Sequence, residues 1–218
     1  MGAAMAEASD NNKNHGIGTF SPLKHASFRN MWVSNTVTNA GGLIQSVAAA
    51  WIMTSISTAD HVALVQSATF LPMALFALPA GAIADIYDRR KVQMLFFFLS
   101  LLAAVIMTLV SLFGLITPWV LLGLCFLVGT GTALAAPARG ASIAEQVPKV
   151  LLSQAVALNN ISFNIARSVG PAIGGLIVVA FGVTAASAIK SISFLPMIES
   201  LRRWTRGPET RRVPLSRI

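Results

Sequence analysis

The residues best placed for chemistry lie in Gly81-Ala82-Ile83-Ala84-Asp85-Ile86-Tyr87-Asp88-Arg89-Arg90-Lys91, where two carboxylates and three cations crowd together. This stretch separates two apolar runs, Ala63 to Ala84 and Val92 to Phe113. Each run is about as long as the roughly 20 residues that cross a bilayer core. The stretch therefore reads as a tight, charged turn joining two membrane helices. Glycine at 81 permits close backbone approach, and Asp85 lies one helical turn later, at the membrane edge. Arg89, Arg90 and Lys91 open the next helix, and such clusters hold a loop in the cytoplasm. The plain reading is a topogenic charge cluster, but the pattern is richer than the positive-inside rule alone requires.

A second set lies inside an apolar run. Asn160, Asn164, Arg167, Pro171 and Gly174 follow a four-three-four-three spacing and share one helical stripe. A charge at mid-helix costs about 2.5–3.5 kcal/mol on insertion scales. Arg167 either snorkels towards the cytoplasmic face or contacts an anion, a polar substrate or an acid on another helix. Pro171 leaves the Arg167 carbonyl without its usual helical donor, and Gly170-x-x-x-Gly174 lets a partner helix come close. Asn35, Thr38, Gly42 and Gln45 form a third stripe, at spacings of three and four. A polar stripe in lipid must face a bundle interior or a cavity, as hydrogen-bonding glue or as a lining.

The elements that position these residues are all helical. The chain has 218 residues, 55% hydrophobic and 11% charged, about half the charged fraction of soluble domains. It is expected to be an integral membrane six-helix bundle. The spans run from about Met31 to Ile56, Ala63 to Ala84 (with Pro72 and Pro79 as kinks), Val92 to Phe113, Trp119 to about Ala138, Leu158 to Phe181 and about Thr184 to Leu201. Residues 1–27 form a polar cytoplasmic lead, 28–204 the transmembrane domain and 205–218 a basic tail. Ser21 to Asn30 forms a short approach to the membrane. Gly129, Gly131, Ala135 and Ala136 suit tight packing in the fourth helix. Phe181-Gly182-Val183 is a minimal external loop, and Lys190 interrupts the sixth helix.

Charge orients the bundle. With the amino terminus inside, 14 of the 16 basic residues fall on inner segments, Arg139 and Lys149 among them in a cytoplasmic loop. Arg167 and Lys190 lie in the membrane and the outer loops have none, so both termini are expected in the cytoplasm at the inner (plasma) membrane. The net charge of +8 is read as loop charge facing anionic lipid, not as a nucleic-acid surface. Cys125 is the single cysteine, and His15, His25 and His61 are scattered. Neither a disulfide, a metal cluster nor a cofactor is expected. No nucleophile–base set or phosphate loop supports an enzyme, and no charge ring or filter supports a channel.

The charged turn resembles the G-x-x-x-D-x-x-x-R-[RK] signature of the major facilitator superfamily, matched by Gly81, Asp85, Arg89 and Arg90, with Asp88 where glycine is frequent. Gly170-Pro171-x-x-Gly174-Gly175 resembles the fifth-helix signature of its antiporters. Gln45 to Trp51, Leu78 to Gly81 and Asn164 to Gly175 look like its enterobactin-exporter-like branch. The resemblance runs from about Phe28 to Trp204 and implies the amino-terminal half of the fold. It further implies export of small organic molecules, siderophores or drugs, by proton antiport. In that family the loop residues, here Asp85, Arg89 and Arg90, lock the cytoplasmic gate against the other half. The kinked fifth helix packs on an opposing helix. From the residue patterns, Asn35, Gln45, Asn164 and Arg167 are the candidate cavity or substrate contacts. The family has two such halves. Three expectations follow for a chain with one: a partial or truncated transporter, a homodimer, or a non-transporting scaffold or partner subunit. No carboxylate lies deep in a span, and Lys190 stands where similar proteins carry an uncharged polar residue.

Overall fold

The computed structural model describes residues 18–204, without the side chains of Ala59 and Asp60. The polar lead up to residue 17 and the tail arginines beyond Trp204 lie outside the described residues. A 3-10 turn, Ser21–Lys24, leads into six α-helices: α1 (Ala26–Ile56), α2 (Ala59–Leu75), α3 (Ala77–Ile86), α4 (Arg89–Leu112), α5 (Pro118–Gln146) and α6 (Leu152–Arg203). Among the described residues there is no strand. Apolar segments without water must satisfy every backbone group internally, and helices do so segment by segment.

Breaks fall where backbone chemistry allows. α2 and α3 meet at Phe76 with a bend of 49°. Pro79 sits in the first turn of α3, where a missing N–H loses no helical bond. α6 is interrupted at Gly182, whose φ of 79° favours glycine. It is a hairpin of two arms, 152–181 and 183–203. Three helical segments, α4, α5 and Lys149–Arg203, are long and apolar enough to cross a membrane, and α2 with α3 makes a fourth when taken as one span. α1 does not meet that measure, because Asn35, Thr38, Asn39 and Gln45 lower its hydropathy. Counting α2–α3 as one rod and α6 as two gives six rods.

Several boundaries differ from expectation. The first helix starts at Ala26, not near Met31, and the fifth rod at Leu152, not Leu158. The fourth expected helix does not stop near Ala138. It continues through Pro137 to Gln146 and ends at Val147-Pro148. Arg139 and Glu145 are thus helical residues and not loop residues.

α1 is wedged between the arms of α6. It runs parallel to the first: Trp32 Nε1 donates to the Leu158 carbonyl (2.9 Å) and Thr36 Oγ1 lies 2.5 Å from Ser162 Oγ. It runs antiparallel to the second, where Ser34 meets Ser200 (2.7 Å) and Thr38 Oγ1 donates to the Ser193 carbonyl (2.9 Å). Glycine sets the distance. A Cβ on Gly170 would come 2.7 Å from Leu43 Cβ, one on Gly174 3.1 Å from Ile44 Cα, and one on Gly41 would collide with the Ser193 hydroxyl. α5 is held likewise between α2 and α4: a Cβ on Gly129 would strike the Thr69 carbonyl, and one on Gly131 the Ser100 hydroxyl. Phe97 and Phe194 pack in the core between α4 and the second arm, whereas Phe98 is exposed.

Overpacking such a contact costs about 1–3 kcal/mol. We predict that Gly41→Leu or Gly174→Leu lowers stability in a detergent–denaturant titration by that amount. Gly175→Leu, with nothing within 4 Å of its Cβ position, changes it by less than about 0.5 kcal/mol.

Candidate functional site

Two groups of polar residues stand out, one at an end of the bundle and one at its centre. At the end, the charged turn ties three elements together. Asp88 caps α4, accepting from the backbone N–H of Arg90 (2.8 Å) and Lys91 (3.1 Å). Asp88 thus exploits the preference of short acids for the N-cap, where glycine would satisfy no donor. Arg89 reaches the end of α5, donating to the Ala141 carbonyl (3.1 Å) and pairing with Glu145 (2.9 Å). Arg90 Nη2 donates to the Arg202 carbonyl at 2.6 Å, at the end of α6. Asp85 is exposed and makes no hydrogen bond or ion pair among the described residues. Gly81 faces open space on its Cβ side. The arginines of the turn thus bind their own bundle, while Asp85 and Gly81 are left open.

The central group is built on α1. Its polar stripe is buried: Asn35, Thr38 and Gln45 are 7%, 3% and 5% exposed. Asn35 donates to Asn159 Oδ1 (3.3 Å) and accepts from Arg139 Nη1 (3.1 Å), so it joins the first arm of α6 to α5. Thr38 also donates to the Ser34 carbonyl (2.9 Å). Gln45 makes only a long contact with Met107 Sδ (3.7 Å) and lines a cavity of about 50 Å³. Gly42, Ser46, Thr69, Cys125, Thr132 and Lys190 are also in that lining. The stripe serves as glue at Asn35 and Thr38 and as lining at Gly42 and Gln45.

Lys190 is the least expected member. It is 3% exposed, its Nζ donating to the Thr38 carbonyl (3.3 Å) and lying 4.1 Å from the centroid of the Phe194 ring. Gly42 lies beside the ammonium, where a Cβ would be in ordinary contact with Nζ at 3.4 Å. Sequence reasoning registered Lys190 as an interruption and missed its surroundings. A usable signal was Ser187, Lys190, Ser191 and Phe194, at helical spacing on one buried face of the second arm. Arg139 was missed because it was assigned to a loop.

The structure does not bring Asn164 and Arg167 into this group. Both are exposed on the first arm, and Arg167 makes no hydrogen bond or ion pair among the described residues. Gly170 and Gly174 face α1 of the same bundle, while Gly175 faces open space. Pro171 is exposed beside them, within the helix.

Comparison with known proteins then gives the setting. Residues 17–218 match the family described as "Transmembrane secretion effector". The chain is 30% identical over 143 residues to the Staphyloferrin A transporter of Staphylococcus aureus, covering 65% of this chain and 36% of that protein. It is 24% identical over 163 residues to Macrolide efflux protein A of Streptococcus pyogenes, covering 74% and 40%. The chain therefore spans well under half the length of these relatives. No solved structure matches it.

Capping separates the two turn carboxylates. Asp88→Ala is expected to destabilise the protein by about 1 kcal/mol through loss of the α4 cap. Asp85→Ala should cost less than about 0.5 kcal/mol, since it removes no contact. Paired denaturation curves at one detergent concentration check both.

Proposed function

The chain belongs to the transmembrane secretion effector family of major facilitator superfamily (MFS) transporters, and from that membership we propose that it forms one six-helix half of an exporter of small organic molecules. A second half completes the cavity, either further polypeptide or a second copy of this chain. The observation that carries the reading is the contrast within the charged turn: Arg89 and Arg90 are tied to the bundle, whereas Asp85 and Gly81 are open. An exposed carboxylate on a rigidly held turn suits a partner that docks and leaves. In the alternating-access cycle, Asp85 contacts the second half when the cytoplasmic side is closed and releases it when that side opens. Arg89 and Arg90 hold the turn in register through α5 and α6.

The relatives' names support siderophore-type or drug-type molecules as the substrate class, with proton antiport as the driving force, as the resemblance implies. The membrane is the inner (plasma) membrane and both termini are cytoplasmic. Supporting this, one end of the bundle carries Lys24, Arg29, Arg89, Arg90, Lys91, Lys149, Arg202 and Arg203, while the turns at 57–58, 113–117 and 182 carry no Lys or Arg. Asn164, Arg167 and Gly175, open on the first arm, belong to the face that meets the second half. Two copies inserted the same way, related by a two-fold axis along the membrane normal, would reproduce a two-half arrangement.

The test is export by the complete transporter, as the homodimer or joined to its second half. Asp85→Asn should reduce efflux at least about tenfold at normal expression, the scale of one lost charge-assisted contact. Its stability should stay unchanged. Arg167→Ala should reduce efflux more than Ile165→Ala, its exposed neighbour. Unaltered efflux in Asp85→Asn would remove the gate role, and equal effects at 165 and 167 would leave Arg167 with packing alone.

A further inference from the structure

We infer that the central cavity is a binding site for an anionic group, a carboxylate of a small organic acid, with Lys190 as its principal contact. The inference rests on the exporter reading and adds the substrate's charge to it. Five observations meet at this place. Lys190 is buried within the bundle, where an uncompensated charge costs several kcal/mol. No carboxylate pairs with it: among the described residues Asp85, Asp88, Glu145 and Glu199 all lie towards the charged end, and both ion pairs there involve arginine.

Its protein contacts are also incomplete. An ammonium has three N–H donors; one meets the Thr38 carbonyl, and the Phe194 ring face offers a second, weaker interaction. The cavity beside it has polar groups from three further helices, Gln45 and Ser46 on α1, Thr69 on α2 and Thr132 on α5. Finally, Arg139, half-buried on α5, binds the amide oxygen of Asn35 and no carboxylate among the described residues. With neither Lys190 nor Arg139 paired to an acid, this part of the bundle favours an anion.

The volume limits the ligand. At about 50 Å³, against the roughly 10–15 Å³ that one water needs on the same measure, the cavity has room for a few waters or one small polar group. It suits a single carboxylate inserted between α1 and α5, with the rest of the molecule outside. The Gln45 amide can donate to the oxygens while Lys190 supplies the charge; the Ser46, Thr69 and Thr132 hydroxyls donate to the carbonyls of Leu43, Val65 and Val128 and form the polar wall. The shared chemistry, an anionic oxygen group, is also that of a lipid phosphate, so the probes must separate the two sources.

Benzoate is a suitable probe, with benzyl alcohol as its neutral counterpart. Binding to the purified chain in neutral detergent is read by calorimetry, in a carboxylate-free HEPES buffer of constant ionic strength. Saturable benzoate binding is expected, with none for benzyl alcohol. Lys190→Met should weaken it about 10- to 100-fold, the scale of one charged hydrogen bond, and Lys190→Arg by less. Equal benzoate binding in Lys190→Met overturns the site. So does chloride that competes as well as benzoate, or binding seen only with short-chain phosphatidylglycerol, which would make this a lipid site. If Lys190→Met does not fold, the wild-type protein still decides. Its five lysines can be labelled with ¹⁵N, and the buried ammonium signal must shift with benzoate but not benzyl alcohol. Export plays no part in these readings. A chain that binds benzoate but never exports overturns the transporter reading alone, and an exporter indifferent to benzoate overturns this one alone.

Discussion

Helix α1 can carry Ser34, Asn35 and Thr38 into a membrane bundle only because the two arms of α6 close on it at backbone distance. Each buried hydroxyl or amide would cost several kcal/mol if left without a partner in an apolar interior. The partners are largely backbone carbonyls and short side chains: Pro196 and Ser193 carbonyls, Ser162, Ser200 and Asn159. Such partners are within reach only when the helices almost touch, and glycine at 41, 170 and 174 provides that distance. Loss of one glycine therefore undoes hydrogen bonds as well as packing.

The arrangement is repeated across the bundle. α5 stands to α2 and α4 as α1 stands to the two arms of α6, again with glycine against serine, Gly131 at Ser100 and Gly41 at Ser193. Two polar-cored groups meet where Asn35 joins Arg139 and where the cavity lies between Gly42 and Gly129. At the charged end the turn arginines fasten α4 to α5 and α6, so that Asp85 is presented from a fixed support. The Arg89–Glu145 pair is partly exposed and contributes about 1 kcal/mol at most; its value lies in position more than in stability.

Much of this was legible in the sequence, for physical reasons. Apolar runs of membrane length reveal helices, and Gly182 between two of them reveals the hairpin. The stripe from Asn35 to Gln45 was placed correctly inside the bundle, since lipid excludes it. The close approach at Gly170 and Gly174 was also readable, but not its partner: the glycine pattern says that a helix comes near and does not say which. Pairing across the bundle was out of reach. Nothing local to Arg139 announces Asn35, and counting charges favoured a loop over a helix that simply continues. Lys190 was visible as an oddity, but its partners, Thr38 and Phe194, are set by how the second arm lies on α1. Asp88, read as a departure from a glycine-favouring signature, proves to be a helix cap.

In the proposed topology these rods cross the membrane six times and gather the basic residues at one face. Labelling with a membrane-impermeant maleimide tests it most directly, in a Cys125→Ser background with single cysteines at Ser57, Leu115, Phe181, Tyr87 and Lys149. The account predicts reaction at 57, 115 and 181 in intact cells, and at 87 and 149 only after the membrane is opened. Labelling of Ser57 and Tyr87 from the same side would contradict it, because α2 and α3 would then not form a crossing.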